Sequence, residues 1–162
     1  MVATADEVGN AIEVTSIGWH RGTGGTPTAS FNDFNIYMGY CPAEMLSTNF
    51  MDNYVTGTRT LVHHSDYIIV AEGTDDWFYI DLDAPFWYNG EESLVLEVTW
   101  ESGSGSVRNY FFDNPGIPMR LKSAVPNGET GFLSSMRYQF MLEGNMKLES
   151  GTFASIKVLL GS

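Results

Sequence analysis

Residues 77–100 read WFYIDLDAPFWYNGEESLVLEVTW, and this stretch carries the clearest strand pattern of the chain. Apolar side chains recur at every second position over residues 78–82 and again over residues 94–100. Because successive side chains of a strand point to opposite faces, this period of two predicts two strands that each bury one face. Pro85 and Gly90 lie between the two runs, so residues 84–92 are predicted to form a connection.

The same period of two recurs along most of the chain. It predicts about nine short strands, separated by Gly, Pro, Asn and Asp signals roughly every ten residues. Ile12 and Val14 alternate, as do Ile17 and Trp19, and the change of phase between the two pairs predicts a bulge. Many short strands at this spacing are typical of a sandwich or barrel. We therefore predict an all-β fold, an antiparallel two-sheet β-sandwich.

Two stretches look least like strands. Residues 20–30 are rich in Gly and Thr and are predicted to be a loop. In residues 41–53, Pro42 is typical of the first turn of a short helix.

The chain has 162 residues, of which 43% are hydrophobic, and this size suits one domain with its own core. Residues 1–162 are therefore predicted to be a single β-sandwich domain.

The charge balance excludes several classes of partner. Lys and Arg number 8 against 20 Asp and Glu, which gives a formal net charge of −12. A surface this acidic repels phosphate backbones, so we predict no nucleic-acid binding and no binding to anionic membranes. The acidity is typical of a highly soluble surface, and Ca²⁺ sites built from carboxylates are the alternative interpretation. No apolar run approaches the roughly 18 residues of a membrane span.

Cys41 is the single cysteine, so no disulfide within the chain and no multi-cysteine zinc site can form. Residues 1–7 lack the basic and apolar regions of a signal peptide. The chain is therefore either cytosolic or part of a longer precursor. Gly, Ser, Thr, Asn and Tyr are plentiful and Lys is scarce, which favours an exported protein.

One predicted strand face combines aromatic and acidic residues. In the strand predicted over residues 77–83, alternation places four side chains opposite the apolar face. They are Trp77, Tyr79, Asp81 and Asp83. Sugars present flat C–H patches that stack on aromatic rings, while carboxylates accept hydrogen bonds from sugar hydroxyls. The face is therefore a candidate glycan site. In the alternative interpretation, residues 41–57 cover this face and Trp77 is packing.

Trp87 is the middle residue of the aromatic run Phe86–Tyr88. Its neighbours are predicted to anchor the connection, so Trp87 should point elsewhere and is a further candidate for ligand contact.

Catalytic and metal-binding patterns are weak. His63 and His64 are adjacent, so on a strand they point to opposite faces and cannot easily share a metal. No Gly-x-Ser-x-Gly elbow is present, and no pair of acids stands out as the two carboxylates of a glycosidase. The sequence assigns no set of metal ligands. Ca²⁺ binding is left open, because six acidic residues cluster in the sequence although their spacing is not that of an EF-hand. These acids are Asp75, Asp76, Asp81, Asp83, Glu91 and Glu92.

Two segments carry a family resemblance. Phe34–Gly39 has the pattern F-x-I-Y-M-G, and residues 77–90 have W-x-x-I-x-L-x-x-P-F-x-Y-x-G followed by an alternating apolar strand. In these segments the chain resembles secreted bacterial β-sandwich modules of type IX-exported surface proteins, and it is similar to the cleaved adhesin domains of gingipains. The resemblance implies a jelly-roll-like sandwich, an extracellular or cell-surface location, and a role in adhesion, glycan binding or display.

Together these observations predict a non-catalytic extracellular binding module. Its expected partner is a glycan or cell-surface polymer, with other domains of a larger exported protein as further partners. The alternative is a structural subunit of an extracellular assembly or filament, joined through sheet edges or through the apolar C-terminal residues 153–160. A glycoside-active enzyme is a more distant alternative.

Overall fold

The computed structural model describes residues 1–24, 28–71, 76–123, 125, 128–147 and 153–160. A capped helical turn, α1 (Ala5–Val8), and a single 3-10 turn (Met51–Asn53) accompany the strands. The strands are β1 (Val2–Ala3), β2 (Ile12–Arg21), β3 (Thr28–Cys41), β4 (Thr60–Ala71), β5 (Asp76–Tyr88), β6 (Ser93–Thr99), β7 (Ser102–Ser104), β8 (Phe111–Asp113), β9 (Arg120–Lys122), β10 (Phe132–Ser134), β11 (Met136–Tyr138), β12 (Phe140–Lys147) and β13 (Phe153–Leu160).

Two larger sheets organise these strands. The first sheet has the order β1-β6-β3-β4, with β7 pairing beside β3, and the second sheet has the order β13-β12-β2-β5. Two small pairs, β8 with β11 and β9 with β10, complete the described strands. All of these pairings are antiparallel, so the prediction of an all-β antiparallel fold is confirmed.

The main core lies between the two larger sheets, as in a sandwich. Ile36 and Leu96 of the first sheet belong to the same buried cluster as Ile17 and Leu142 of the second. Alternation places these side chains on the inner faces, where removing their apolar surface from water is the main stabilising term. The opposite faces of both sheets therefore point outward.

The bulge predicted in β2 is confirmed. In the pairing with β12, Ser16 pairs with Glu143 and Val14 with Gly144, so Thr15 is the extra residue of β2. In the pairing with β5 the extra residues are on the partner, because residues 82–85 stand opposite Thr15 alone. Pro85 lies in this excursion, where no ladder N–H is needed. The predicted connection over 84–92 is wrong at 84–88, because β5 continues to Tyr88 and residues 86–88 pair with β2 again. The predicted loop at 20–30 is likewise wrong at both ends, because residues 20 and 21 complete β2 and residues 28–30 begin β3. Residues 25–27 of that loop lie outside the described residues.

Residues 41–57 lie on the outer face of the first sheet. Leu46 and Tyr54 join a second buried cluster with Cys41 and Val95, both of which are on strands of that sheet. The helical turn is at Met51–Asn53 rather than at Pro42, which is in a bend. This segment therefore does not cover the second sheet, whose outer face holds the candidate site.

Candidate functional site

The outer face of the second sheet carries Trp77, Tyr79 and Asp81 of β5. The antiparallel register sets these residues opposite His20, Gly18 and Ser16 of β2, respectively. The inner-face residue Ile80 is buried between Tyr79 and Asp81, which confirms the predicted alternation of this strand. We name the outer surface formed by Trp77, Tyr79 and Asp81 the β5 face.

The ring of Tyr79 lies across Gly18. A Cβ atom at Gly18 would stand 2.6 Å from Tyr79 Cε1, so the ring occupies the space that any other side chain would fill. Beyond Gly18 the Tyr79 hydroxyl reaches Met141 Sδ on β12 at 3.6 Å. The side chain remains 38% exposed. One side of Tyr79 is thus supported by the sheet while the residue stays open to solvent.

Trp77 is half-buried because it stacks on a neighbouring ring. Its indole lies parallel to the imidazole of His20, with ring centroids 4.8 Å apart and 7° between the planes. Tyr110 packs on His20 at 4.4 Å, and the His20 Nδ1 atom lies 2.8 Å from Gln139 Oε1. Trp77 and Tyr79 are also neighbours, with centroids 6.4 Å apart. Trp77 is therefore held in a row of rings that ends beside Tyr79.

Asp81 supplies an exposed carboxylate next to the aromatic pair. Within the described part of the chain it has no hydrogen-bond or ion-pair partner. In the same row of the sheet Glu143 of β12 forms an ion pair with Lys157 of β13. The Lys157 ammonium also lies 5.2 Å from the centroid of the Tyr79 ring. Hydrogen bonding to Glu143 raises the pKa of Lys157, so this ammonium stays charged.

Asp83 does not join this face. Its carboxylate accepts a hydrogen bond from the His64 backbone N–H at 2.7 Å and lies 3.3 Å from Nδ1 of His63. The His64 N–H lowers the pKa of the Asp83 carboxyl. Asp83 thus links β5 to β4, which is the edge strand of the first sheet. The predicted stripe of four residues is therefore divided between two places.

Trp87 points outward, as predicted, but lies far from Trp77. It is 47% exposed, while its neighbours Phe86 and Tyr88 are buried. Trp87 pairs with Glu13 and Trp77 with His20, so about seven residues of β2 separate them, or roughly 23 Å. Only an extended ligand can touch both tryptophans.

The described acids do not assemble around a common point. No three His, Cys, Asp or Glu side chains come close enough to hold a metal ion within the ranges that the structure describes. Glu91 and Glu92 lie in the β5–β6 turn, where the Asn89 side-chain oxygen accepts hydrogen bonds from both of their backbone N–H groups. Asp75 lies outside the described residues.

The described helices include none that is long and apolar enough to cross a membrane.

An open cavity of about 300 Å³ lies beside the β5–β6 turn and includes Cys41, Glu44 and Glu92 in its wall. Burial raises the pKa of the Cys41 thiol, which keeps it protonated and weakly nucleophilic. The geometry thus gives Cys41 the character of a small buried side chain.

Sequence reasoning missed the neighbours that shape the β5 face. Gly18, His20, Met141 and Lys157 belong to other strands, and each reaches the face through the register of β2, β12 and β13. A glycine at position 18, inside a predicted strand, was the one available signal, because such a glycine often marks a close approach by another group.

Comparison with protein-family models, with curated proteins and with solved structures gives no match for this chain.

Proposed function

We propose that this protein is a non-catalytic extracellular module that binds a carbohydrate through the β5 face. One observation carries the proposal: the Tyr79 ring lies over Gly18, Tyr79 stays 38% exposed, and the Trp77 ring is beside it with centroids 6.4 Å apart. The extracellular location rests on the composition and on the resemblance of Phe34–Gly39 and residues 77–90 to exported adhesin-type modules.

The chemistry of the β5 face suits a saccharide. The C–H faces of a pyranose ring are apolar and slightly positive, and they stack on the negative faces of aromatic rings. Asp81 is exposed on the same face and can accept hydrogen bonds from sugar hydroxyls. Two adjoining rings and one carboxylate thus offer stacking and hydrogen bonding within about 13 Å along one strand.

A purely structural role for Tyr79 is the main alternative, because an aromatic ring often shields a strand glycine. The first sheet offers a direct comparison in Tyr54, which would meet a Cβ at Gly39 at 2.6 Å. Tyr54 is only 7% exposed, and its hydroxyl donates to Glu97 at 2.8 Å. Tyr79 has much greater exposure and only a sulfur contact for its hydroxyl, which supports a ligand-binding role in addition to packing.

The test is titration with neutral oligosaccharides and polysaccharides, followed by intrinsic tryptophan fluorescence and by calorimetry. We expect saturable binding by the unchanged protein. Tyr79→Ala should weaken it about tenfold, equivalent to about 1.4 kcal/mol of lost stacking, whereas Tyr79→Phe keeps the ring and should keep the affinity. Trp77→Ala should also weaken binding.

The matched control is Trp100→Ala, which removes a tryptophan that is 42% exposed and packs on Phe31 of the first sheet. It should leave the affinity unchanged. Trp87→Ala should weaken binding of a polymer but not of a short oligosaccharide, because Trp87 lies roughly 23 Å from Trp77. Binding that survives loss of both Trp77 and Tyr79, or no binding across the panel, would contradict the proposal.

A further inference from the structure

Among the residues that the structure describes, carboxylates outnumber cations around the exposed Tyr79 ring. Asp81 is unpaired within the described residues and lies on the same face, about 7 Å along the strand from Tyr79. Glu143 lies in the same row of the sheet as Asp81 and forms an ion pair with Lys157. The whole chain carries a net charge of −12. The electrostatic potential at this face therefore favours a cationic group over an anionic one.

The protein already places a cation of its own at this ring. The Lys157 ammonium lies 5.2 Å from the Tyr79 centroid, within the range of a cation–π contact, and it pairs with Glu143 at the same time. The Lys157 side chain is 62% exposed, so a ligand can displace it without disturbing the core. Tyr79 and Glu143 thus define a position with affinity for an ammonium group.

We infer that the saccharide bound at the β5 face carries free amino groups, as in a polymer of glucosamine units. This inference rests on the proposed function and names the class of its ligand. A protonated amine on one sugar takes the position of the Lys157 ammonium or pairs with Asp81, while the C–H faces of the chain stack on Tyr79 and Trp77. Sulfated or uronate-rich chains are repelled by the same carboxylates.

A lysine-rich peptide offers the same ammonium group without a flat apolar ring. The 6.4 Å spacing of Trp77 and Tyr79 gives two adjoining aromatic surfaces, which a chain of pyranose rings can use and an extended lysine side chain cannot. The observations therefore favour the amino sugar as the ligand. A lysine peptide is included in the experiment as the competing ligand.

The experiment compares three β-1,4-linked hexamers that differ at C2, namely glucose, N-acetylglucosamine and glucosamine, together with hexalysine. At low salt we expect the glucosamine hexamer to bind about fivefold more tightly than the glucose hexamer. Added salt should reduce this preference because the pairs are exposed. Equal affinity for all three hexamers would overturn the inference while leaving the proposed function intact. Binding of hexalysine alone would overturn both.

Two variants test the roles of Asp81 and Lys157 in this preference. Asp81→Asn should reduce the preference for the glucosamine hexamer to about twofold or less, since one exposed pair is lost. The control Asp52→Asn makes the same change in net charge on residues 41–57, which lie on the other sheet, and should leave the preference unchanged. Lys157→Gln removes the internal competitor and should strengthen binding of the glucosamine hexamer. Weaker binding by Lys157→Gln, or an unchanged preference in Asp81→Asn, would contradict the inference.

Discussion

At the scale of single residues, Arg137 of β11 is the most deeply placed charge among the described side chains. It is fully buried and donates to both carboxylate oxygens of Glu7, at 2.7 and 2.9 Å, and to the Val2 carbonyl at 2.7 Å. Glu7 is fixed in turn by a capping box with Thr4 at the start of α1. A buried guanidinium of this kind is stable only while its carboxylate partner is present.

We predict that Glu7→Gln lowers the free energy of unfolding by about 3 kcal/mol at pH 7, because it leaves Arg137 buried without a counter-charge. Urea denaturation measures this loss. In the background of Glu7→Gln, Arg137→Met should recover much of the stability, since an apolar side chain carries no charge to desolvate. If Glu7→Gln were neutral, the pair would contribute nothing to stability.

The same pair predicts how stability depends on pH. Burial raises the pKa of Glu7, but the hydrogen bonds from Arg137 and Thr4 outweigh this effect and bring it below its ordinary value of 4.5. A lowered pKa contributes stability that is present above the ordinary value and lost as pH falls through the folded value. The unchanged protein should therefore lose unfolding free energy more steeply below about pH 4.5 than Glu7→Gln does.

At the scale of elements, β5 takes part in two interactions. Its ends pair with β2, while residues 82–85 leave that strand and Asp83 binds the His64 N–H of β4. Edge strands expose unpaired backbone groups, and a carboxylate that accepts one of their N–H groups satisfies a donor at that edge. Asp83 thus joins the edges of the two sheets.

We predict that Asp83→Ala speeds hydrogen exchange at the His64 amide, because that N–H loses its acceptor. The matched control is Asp81→Ala, two residues away on β5, which should leave this amide unchanged. Exchange resolved to single amides at neutral pH measures both. Equal protection of His64 in all three proteins would show that Asp83 does not hold this edge.

The strands themselves could be predicted from sequence, and their partners could not. A period of two located β2, β5 and β6, because one face of each strand contacts the core. The stacking of Trp77 on His20 depends instead on the register between residues 57 positions apart in sequence, which no local pattern encodes. Asp83 looked equivalent to Asp81 for the same reason, since alternation does not reveal that β5 leaves β2 between them.

One form of the predicted assembly role, exchange of the C-terminal strand, depends on β13. This strand pairs with β12 over all eight of its residues and thereby completes its own sheet. Donating β13 to another copy would break every one of these pairs. The alternative of assembly by exchange of the C-terminal strand therefore has less structural support than the binding role, and it stays a prediction to be tested by light scattering.

At the scale of the whole molecule, the charge of −12 has a consequence for stability. Like charges distributed over a compact surface repel one another, and this repulsion is relieved when the chain unfolds. Salt screens exposed charges much more than buried pairs such as Arg137 with Glu7, so screening should favour the folded state.

We predict that raising NaCl from about 10 mM to about 150 mM at pH 7.5 increases the Tm by about 3 °C, which corresponds to about 1 kcal/mol. Differential scanning fluorimetry is sufficient to measure this change. Repeating the series near pH 4.4, the sequence isoelectric point, is the control, and there the salt effect should vanish. A Tm that falls with salt at pH 7.5 would mean that surface ion pairs outweigh the repulsion.

The position of β2 in the second sheet predicts the order in which the two sheets form. Strands β3, β4 and β6 pair with one another within residues 28–99, so the centre of the first sheet can form while the chain is incomplete. One edge of β2 can likewise pair with β5 while the chain is incomplete. The other edge must wait for β12, since Trp19 pairs with Phe140, and closure across so many residues is slow. The β5 face needs β2 beneath Tyr79 and β12 beyond it. During synthesis the proposed ligand-binding surface is therefore expected among the last parts to form, and a chain that is cut before residue 140 can make the central pairs of the first sheet but lacks the strand that borders this surface.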